Sequence, residues 1–324
     1  MKLPASLCAA SAALLVAATA LGAAEPAYPD HEVHFICAIA PGSGADVIVR
    51  FFAEKMRVLM GVPVIVENRT GATGNIATEY VARAKPDGYT VYVHAGSSVA
   101  ANMHLFKKPP VDVATALQVA ATINRQPFMV VVDAKAPWKT LPELTAAMKA
   151  KGDKATYATV GPLARVMGAL YNRIAGLKAV EVQYKTAMET LNDMASGSLD
   201  YAMQDPQFSL AQARAGRLRI LAVSTATRLD AVPDLPTMAE QGVPGMDLMG
   251  WFAAMVPAAT PKPVVDRLNG WFGEAVGSAE AKTFLNSFGG DPWIATPEQG
   301  QARLLADIGS WAEYVRVAKI EPQG

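Results

Sequence analysis

Ile39-Ala40-Pro41-Gly42-Ser43-Gly44-Ala45-Asp46 reads as a buried strand that ends in a tight glycine turn and opens a helix. The two glycines let the backbone turn sharply and keep side chains away, so free N–H groups at the helix start can face an anion. Ile48, Phe52, Met56 and Leu59 then recur at spacings of four and three, which gives the helix one apolar stripe to bury. Ser43 followed three residues later by Asp46 is also a capping-box pattern, satisfied without any ligand. Cap and cradle are compatible, because the cap fixes the turn that the cradle uses. Two nucleotide readings fail on the same stretch. A P-loop needs Lys and then Ser or Thr after its second glycine region, where this chain has Ala45-Asp46-Val47. A dinucleotide fingerprint needs Gly or Ala three residues beyond Gly44, and that position is Val47.

Upstream of the turn, Val33, Phe35, Cys37 and Ile39 alternate with His34, Ile36 and Ala38, the pattern of a first strand. His31-Glu32-Val33-His34 is one residue short of the zinc-protease spacing and sits at the strand entry, so it is not read as a metal site. Downstream, Val62 to Val66 is a second strand, followed by a loop carrying Gly71 and Gly74. A helix from about Ile76 to Ala84 ends at the turn triplet Pro86-Asp87-Gly88, and Tyr89 to His94 is a third strand running into Ala95-Gly96-Ser97-Ser98. Strand, helix and strand in repetition predict a parallel sheet, with ligands beyond the carboxyl ends of its strands. The loops after Ala40, Val66 and His94 should therefore converge. His94 is read as a packed or solvated polar residue, and no Gly-x-Ser-x-Gly elbow occurs in the chain.

A change of unit follows Asn102 to Asp112. Phe128 to Val132 is an apolar strand, a helix runs from the Pro137-Trp138 region to about Lys151, and Ala155 to Thr159 is a further strand. The cycle repeats through a helix at Leu163 to Ala175, a strand at Val180 to Tyr184, a helix at Ala187 to Ser196, and strands at Tyr201 to Gln204 and Ile220 to Val223. Met246 to Val256 is again strand-like. The tail carries helices around Val264 to Ala275, Glu280 to Ser287 and Pro297 to Ala318. A helical tail with no sheet of its own most simply packs back on the first unit.

The chain has 324 residues, 51% of them hydrophobic, with 29 basic and 29 acidic side chains. That length carries two domains with proper cores. A net charge of zero without a Lys/Arg cluster offers no footprint for nucleic acid. Lys2, an apolar run from Leu7 to Leu21, and small residues at Gly22, Ala23 and Ala24 read as a secretory signal peptide over 1–24, cleaved near Ala24. Cys8 precedes most of the apolar run, which argues against a lipoprotein, and the mature chain keeps only Cys37, so no internal disulfide is possible. No later stretch is apolar enough to span a bilayer. The expectation is an exported protein, without metal or cofactor.

Several ordered motifs then carry a family resemblance over essentially the whole mature chain. They are Pro41-Gly42-Ser43-Gly44-Ala45-Asp46, Val66-Glu67-Asn68-Arg69 with Gly71 and Gly74, Pro86-Asp87-Gly88-Tyr89-Thr90, Leu221-Ala222-Val223 with Arg228, and Pro233-Asp234-Leu235-Pro236-Thr237 with Glu240 and Gly242. With these the chain resembles the Bug (TctC-like) periplasmic solute-binding proteins. The resemblance implies an α/β, two-lobed periplasmic-binding-protein (Venus flytrap, type II) fold, each lobe a sheet flanked by helices. It places 25–127 and 251–324 in the first lobe and 128–250 in the second. It also implies a small carboxylate in the cleft, delivery to the membrane subunits of a tripartite tricarboxylate transporter, a periplasmic location and a monomer.

By the same resemblance, Pro41, Gly42, Ser43, Gly44, Asp46, Ser97 and Ser98 approach a ligand carboxylate. In the second lobe Thr159, Gly161, Arg165, Tyr184, Lys185, Thr186, Ala187 and Asp205 close over the rest of it. The chain departs from the family pattern in three places. Ser43 stands for the usual second glycine of the cradle, Gln183-Tyr184-Lys185-Thr186-Ala187 for a Pro-Tyr-Lys-Gly-Gly run, and Arg165 for a common histidine. A guanidinium at Arg165 could grip a second carboxylate through two parallel bonds. That makes a dicarboxylate, aliphatic or aromatic such as terephthalate, the expected ligand. The alternatives for Arg165 are a solvated helix residue or a partner for Asp205. A ligand-sensing module and a periplasmic hydrolase remain the competing functions. The hydrolase is short of parts, with four histidines, one mature cysteine and no nucleophile motif.

Overall fold

The computed structural model describes residues 28–324. The expected signal peptide and its cleavage site lie outside the described residues. Strand β1 (Val33–Cys37) leads through the glycine turn into α1 (Gly44–Met60), whose apolar stripe Ile48, Phe52 and Met56 is fully buried. β2 (Val64–Asn68), α2 (Asn75–Ala82) and β3 (Thr90–Ala95) follow. β2 and β3 pair in parallel on the two sides of β1, in register Val33↔Val64 and His34↔Thr90. The loops after these three strands therefore do emerge on one edge of the sheet.

β3 passes directly into α3 (Gly96–Leu105), and α4 (Val113–Ala116) precedes the long strand β4 (Leu117–Pro127). Across Phe128 the chain enters a second sheet through β5 (Met129–Asp133), then α5 (Leu141–Lys151), β6 (Thr156–Thr159), α6 (Pro162–Ala175), β7 (Val180–Gln183), α7 (Ala187–Ala195), β8 (Tyr201–Gln204), α8 (Pro206–Arg214) and β9 (Leu218–Val223). It returns through β10 (Met249–Pro257), α9 (Lys262–Gly277), α10 (Ala279–Ser287), β11 (Asp291–Pro292) and α11 (Pro297–Val317). The first sheet has the order β11-β4-β10-β3-β1-β2 and the second β7-β6-β8-β5-β9. Each sheet mixes a parallel βαβ part with antiparallel strands at the crossings. The result is a two-lobed α/β fold. The tail helices α9 and α11 pack on β4, with α9 also against α1 and α11 against α3.

Four differences from the sequence reading bear on the site. Ala95 to Ser98 was expected as a loop, but helix α3 begins at Gly96. β4 and α8 were not foreseen, and the strand expected from Met246 begins at Met249. β4 alternates Gln, Ala, Thr, Asn and Arg with its few large apolar residues, so its period is faint. It is nevertheless buried along most of its length between β10 and the tail helices.

Candidate functional site

The glycine turn is largely self-satisfied. Ser43 caps α1, its Oγ accepting the Asp46 N–H at 3.3 Å, while the Ser43 N–H donates to the Ala40 carbonyl. Asp46 does not reach back to Ser43 as in a capping box. Its carboxylate turns inward and accepts from the Gly42 N–H at 2.8 Å, Arg50 Nε at 2.8 Å and Asn68 Nδ2 at 2.7 Å. Burial alone would raise this carboxyl, but Arg50, Asn68 and the Gly42 N–H outweigh it and hold it below the usual range. Asp46 therefore acts as a tie between the turn and the end of β2, and of the turn's N–H groups those of Gly44 and Ala45 have no partner among the described residues. Pro41 and Gly42 form the exposed lip. Across the cleft stands Gln207, whose amide carbon lies 3.7 Å from where a Gly44 Cβ would be.

A cavity of about 240 Å³ is lined by residues of both lobes. From the first lobe Ser97 and Ser98 line it, in the first turn of α3. From the second, Gly161 and Pro162 line it at the start of α6. Both helices begin without a side-chain cap, with Ala95 and Gly161 at their N-cap positions. The first N–H groups of a helix have no intrahelical acceptor, and the macrodipole adds positive potential there. Two such termini line one cavity from opposite lobes, an arrangement that can accept an anion: α3 offers the first N–H groups of its turn and the Ser97 and Ser98 hydroxyls, and α6, whose Pro162 has no N–H, offers those of Leu163 and Ala164.

The floor and walls are apolar. Trp251, Phe252, Trp311, Phe128 and Leu163 are among the residues that line it. Trp251 is fully buried, its Nε1–H donates to Asp307 Oδ2 at 2.7 Å, and Trp293 stands edge-on to it. Gly96 has to be glycine for this indole to sit at the start of α3, since a Cβ there would come 2.2 Å from Trp251 Cη2. At the polar corner Asn102 donates to the Thr73 carbonyl and to Asn75 Oδ1, each at 2.9 Å, which orders the glycine loop after β2.

Ser97, Ser98 and Gly161 are thus the expected site residues that meet at the cavity. Thr159 ends β6 just before it, buried, with its Oγ1 donating to Glu181 Oε1 at 2.7 Å. Arg165 does not line the cavity and does not pair with Asp205. Its Nε donates to the same Glu181 oxygen at 3.0 Å. Tyr184 bonds Asp193 through its hydroxyl. Burial first, then the Asp193 charge, pushes that phenol up to about 12. Lys185 is exposed, Thr186 caps α7 in a capping box with Glu189, and Ala187 opens that helix. Asp205 caps α8, accepting the Phe208 N–H at 2.9 Å, and burial raises its carboxyl. Pro41, Gly42, Ser43, Gly44 and Asp46 lie outside the cavity wall.

Sequence reasoning missed Asn102, Gln126, Gln207 and the aromatic floor. Asp205-Pro206 carried a usable signal, an N-cap residue followed by proline at the first helical position, which places Gln207 at a helix start. The aromatic residues come from β10, α11 and the crossing at Phe128, and no local pattern joins them.

The chain matches the TctC family, described as "Tripartite tricarboxylate transporter family receptor", over residues 48–316. It is 30% identical over 292 residues to Protein BugT of Bordetella pertussis, covering 89% of this chain and 90% of BugT. A UPF0065 protein of Bordetella bronchiseptica is 30% identical over 313 residues, covering 96% of this chain and 92% of that protein. Among solved structures, R. palustris Rpa4515 with adipate superposes with a TM-score of 0.78 at 28% identity, over 91% of this chain and 99% of that one. MatC from Rhodopseudomonas palustris with bound malate superposes with a TM-score of 0.71 at 25% identity, over 89% of this chain and 100% of that one.

Proposed function

This chain belongs to the TctC family of tripartite tricarboxylate transporter receptors, and we propose that it is a periplasmic solute-binding protein that holds a small carboxylate between its lobes and delivers it to the membrane subunits of such a transporter. The observation that carries this reading is the pair of uncapped helix termini, α3 at Ser97 and Ser98 and α6 at Gly161 and Pro162, facing one interlobe cavity. A carboxylate placed there would accept N–H groups of the first turn of α3 and, past Pro162, which has no N–H, those of Leu163 and Ala164 at the start of α6, so binding and lobe closure are coupled. Such a site needs donors and no reactive group, which favours capture over turnover. The relatives that hold adipate and malate make a carboxylate the natural cargo class.

In this reading the lobes meet at two crossings, near Phe128 and Leu248, and move about them as a hinge. The leader over 1–24 would take the protein across the inner membrane and be removed near Ala24. A thermal-shift screen of the mature chain against mono-, di- and tricarboxylates, aliphatic and aromatic, tests the proposal. A ligand that binds only the folded state stabilises it by RT ln(1 + [L]/Kd), about 2.7 kcal/mol at one hundred times Kd. A carboxylate that raises the melting temperature in a saturable way is expected. No shift from any of them at millimolar concentration contradicts the proposal.

A further inference from the structure

Resting on the reading of a ligand held between two moving lobes, we propose that Asp291 makes a second joint between the lobes, a non-covalent strap that gives their opening a fixed axis. The two strands of chain that pass between the sheets run by Phe128 and Leu248, and both bond the Ser224 side chain, so together they act as one joint. A body held at one joint both bends and twists. A second joint leaves only rotation about the line through the two, which is a hinge.

Asp291 sits in β11 of the first sheet, opposite Arg125 of β4 and so close to the crossing at Phe128. It is 4% exposed, and its two carboxylate oxygens each take one N–H from a neighbouring pair: Oδ2 accepts from Asp230 at 2.9 Å and Oδ1 from Ala231 at 2.8 Å. That pair belongs to the second lobe, because Leu229 and Val232 on either side of it are buried with Val131, Ala202 and Val223 in the core of the second sheet. Two N–H groups on the two oxygens of one buried carboxylate make a charge-assisted and directional tie. The turn that precedes Asp291 is seated as well. A Cβ at Gly289 would come 2.6 Å from Leu210 Cδ1 and 2.9 Å from Pro206 Cβ, so this turn of the tail lies directly against α8 of the second lobe. Lys282 of α10 adds an exposed pair to Asp230 at 3.4 Å, of the kind that contributes little. α8 also reaches the first lobe through Gln207, whose amide carbon lies 3.7 Å from the Gly44 Cβ position. Rotation about Asp291 therefore carries Gln207 towards or away from the glycine turn.

Residue-resolved hydrogen exchange and small-angle scattering of the mature chain, with no acid present, test the strap. The Asp230 and Ala231 amides should be protected in the wild-type chain. Asp291→Asn keeps the size of the side chain but puts an amide NH2 where one acceptor oxygen stood. It should speed exchange at these two amides about tenfold and enlarge the radius of gyration. Lys282→Ala should leave both readings as they are in the wild type. Fast exchange at Asp230 and Ala231 in the wild-type chain overturns the inference, and this result needs no variant to fold. An unchanged radius of gyration in folded Asp291→Asn also overturns it, as does an equal response to Lys282→Ala. Neither measurement contains an acid, so their failure removes the strap and leaves the carboxylate reading to the thermal-shift screen.

Discussion

The Ser224 hydroxyl accepts the Phe128 N–H at 2.8 Å, and the Ser224 N–H donates to the Phe128 carbonyl at 2.9 Å. The same hydroxyl donates to the Leu248 carbonyl, and the Leu248 N–H returns to the Ser224 carbonyl at 3.0 Å. One fully buried serine therefore joins both strands of chain that pass between the sheets. Ser224→Ala leaves the Phe128 N–H and the Leu248 carbonyl without their side-chain partner, at about 1–3 kcal/mol for each buried group. Urea unfolding should show a loss of about 2–3 kcal/mol, with little change in the slope. A loss below about 0.5 kcal/mol would mean that the crossings are held by other contacts.

Arg165 and Glu181 have side chains only about one-fifth exposed, and the Thr159 hydroxyl shares the same carboxylate oxygen. Arg165→Ala should therefore lower stability by roughly 1 kcal/mol, with the Glu181 charge left to water. It should also change ligand affinity less than about threefold for mono- and dicarboxylates alike. A loss of about tenfold confined to dicarboxylates would restore Arg165 as a distal anchor.

Two glycines make a contrasting pair. Gly96→Ala drives a methyl into the Trp251 ring, so it should cost about 1–3 kcal/mol, shift the indole fluorescence and abolish ligand binding. Gly309→Ala, in α11 with nothing within 4 Å of the added Cβ, should stabilise the protein by up to about 1 kcal/mol through helix propensity. Equal effects at both positions would show that the close approach at Gly96 does not matter.

His94 is 3% exposed, stacked on Tyr92 and edge-on to Phe252, with Nδ1 unpartnered among the described residues. Burial lowers its pKa from 6.5 to about 4. Between those values the unfolded chain holds a proton that the folded one does not, so stability rises with pH through this window and is complete above about 6.5. Acidification from pH 6.5 to 4 should cost on the order of 3 kcal/mol from this group. His94→Leu should flatten that part of the profile. An unchanged profile would assign the acid loss to other residues.

Much of the scaffold was legible because its signals are local. The stripe Ile48, Phe52 and Met56 buries as its spacing requires, and Pro86-Asp87-Gly88 ends the second helix before β3. The turn at Pro41 to Gly44 was also legible, but its role was only half visible. The sequence could not tell that Asp46 would turn inward to Arg50 and Asn68 and occupy the Gly42 donor. The cavity was mostly hidden for a tertiary reason. Asn102, Phe128, Gly161, Trp251 and Trp311 come from five separate segments and meet only once both lobes are in place. Ser97 and Ser98 were found as residues, whereas the uncapped start of α3 that gives them their donors was read as loop.

The most direct test is a crystal structure of the mature chain with whichever acid stabilises it most. The expected result places the carboxylate within about 2.7–3.2 Å of N–H groups in the first turn of α3, at Ser97 and Ser98, with the start of α6 at Gly161 and Pro162 closing over it and the rest of the acid against Trp251. Density for the acid outside the interlobe cavity, with Ser97 and Ser98 unengaged, would contradict the account.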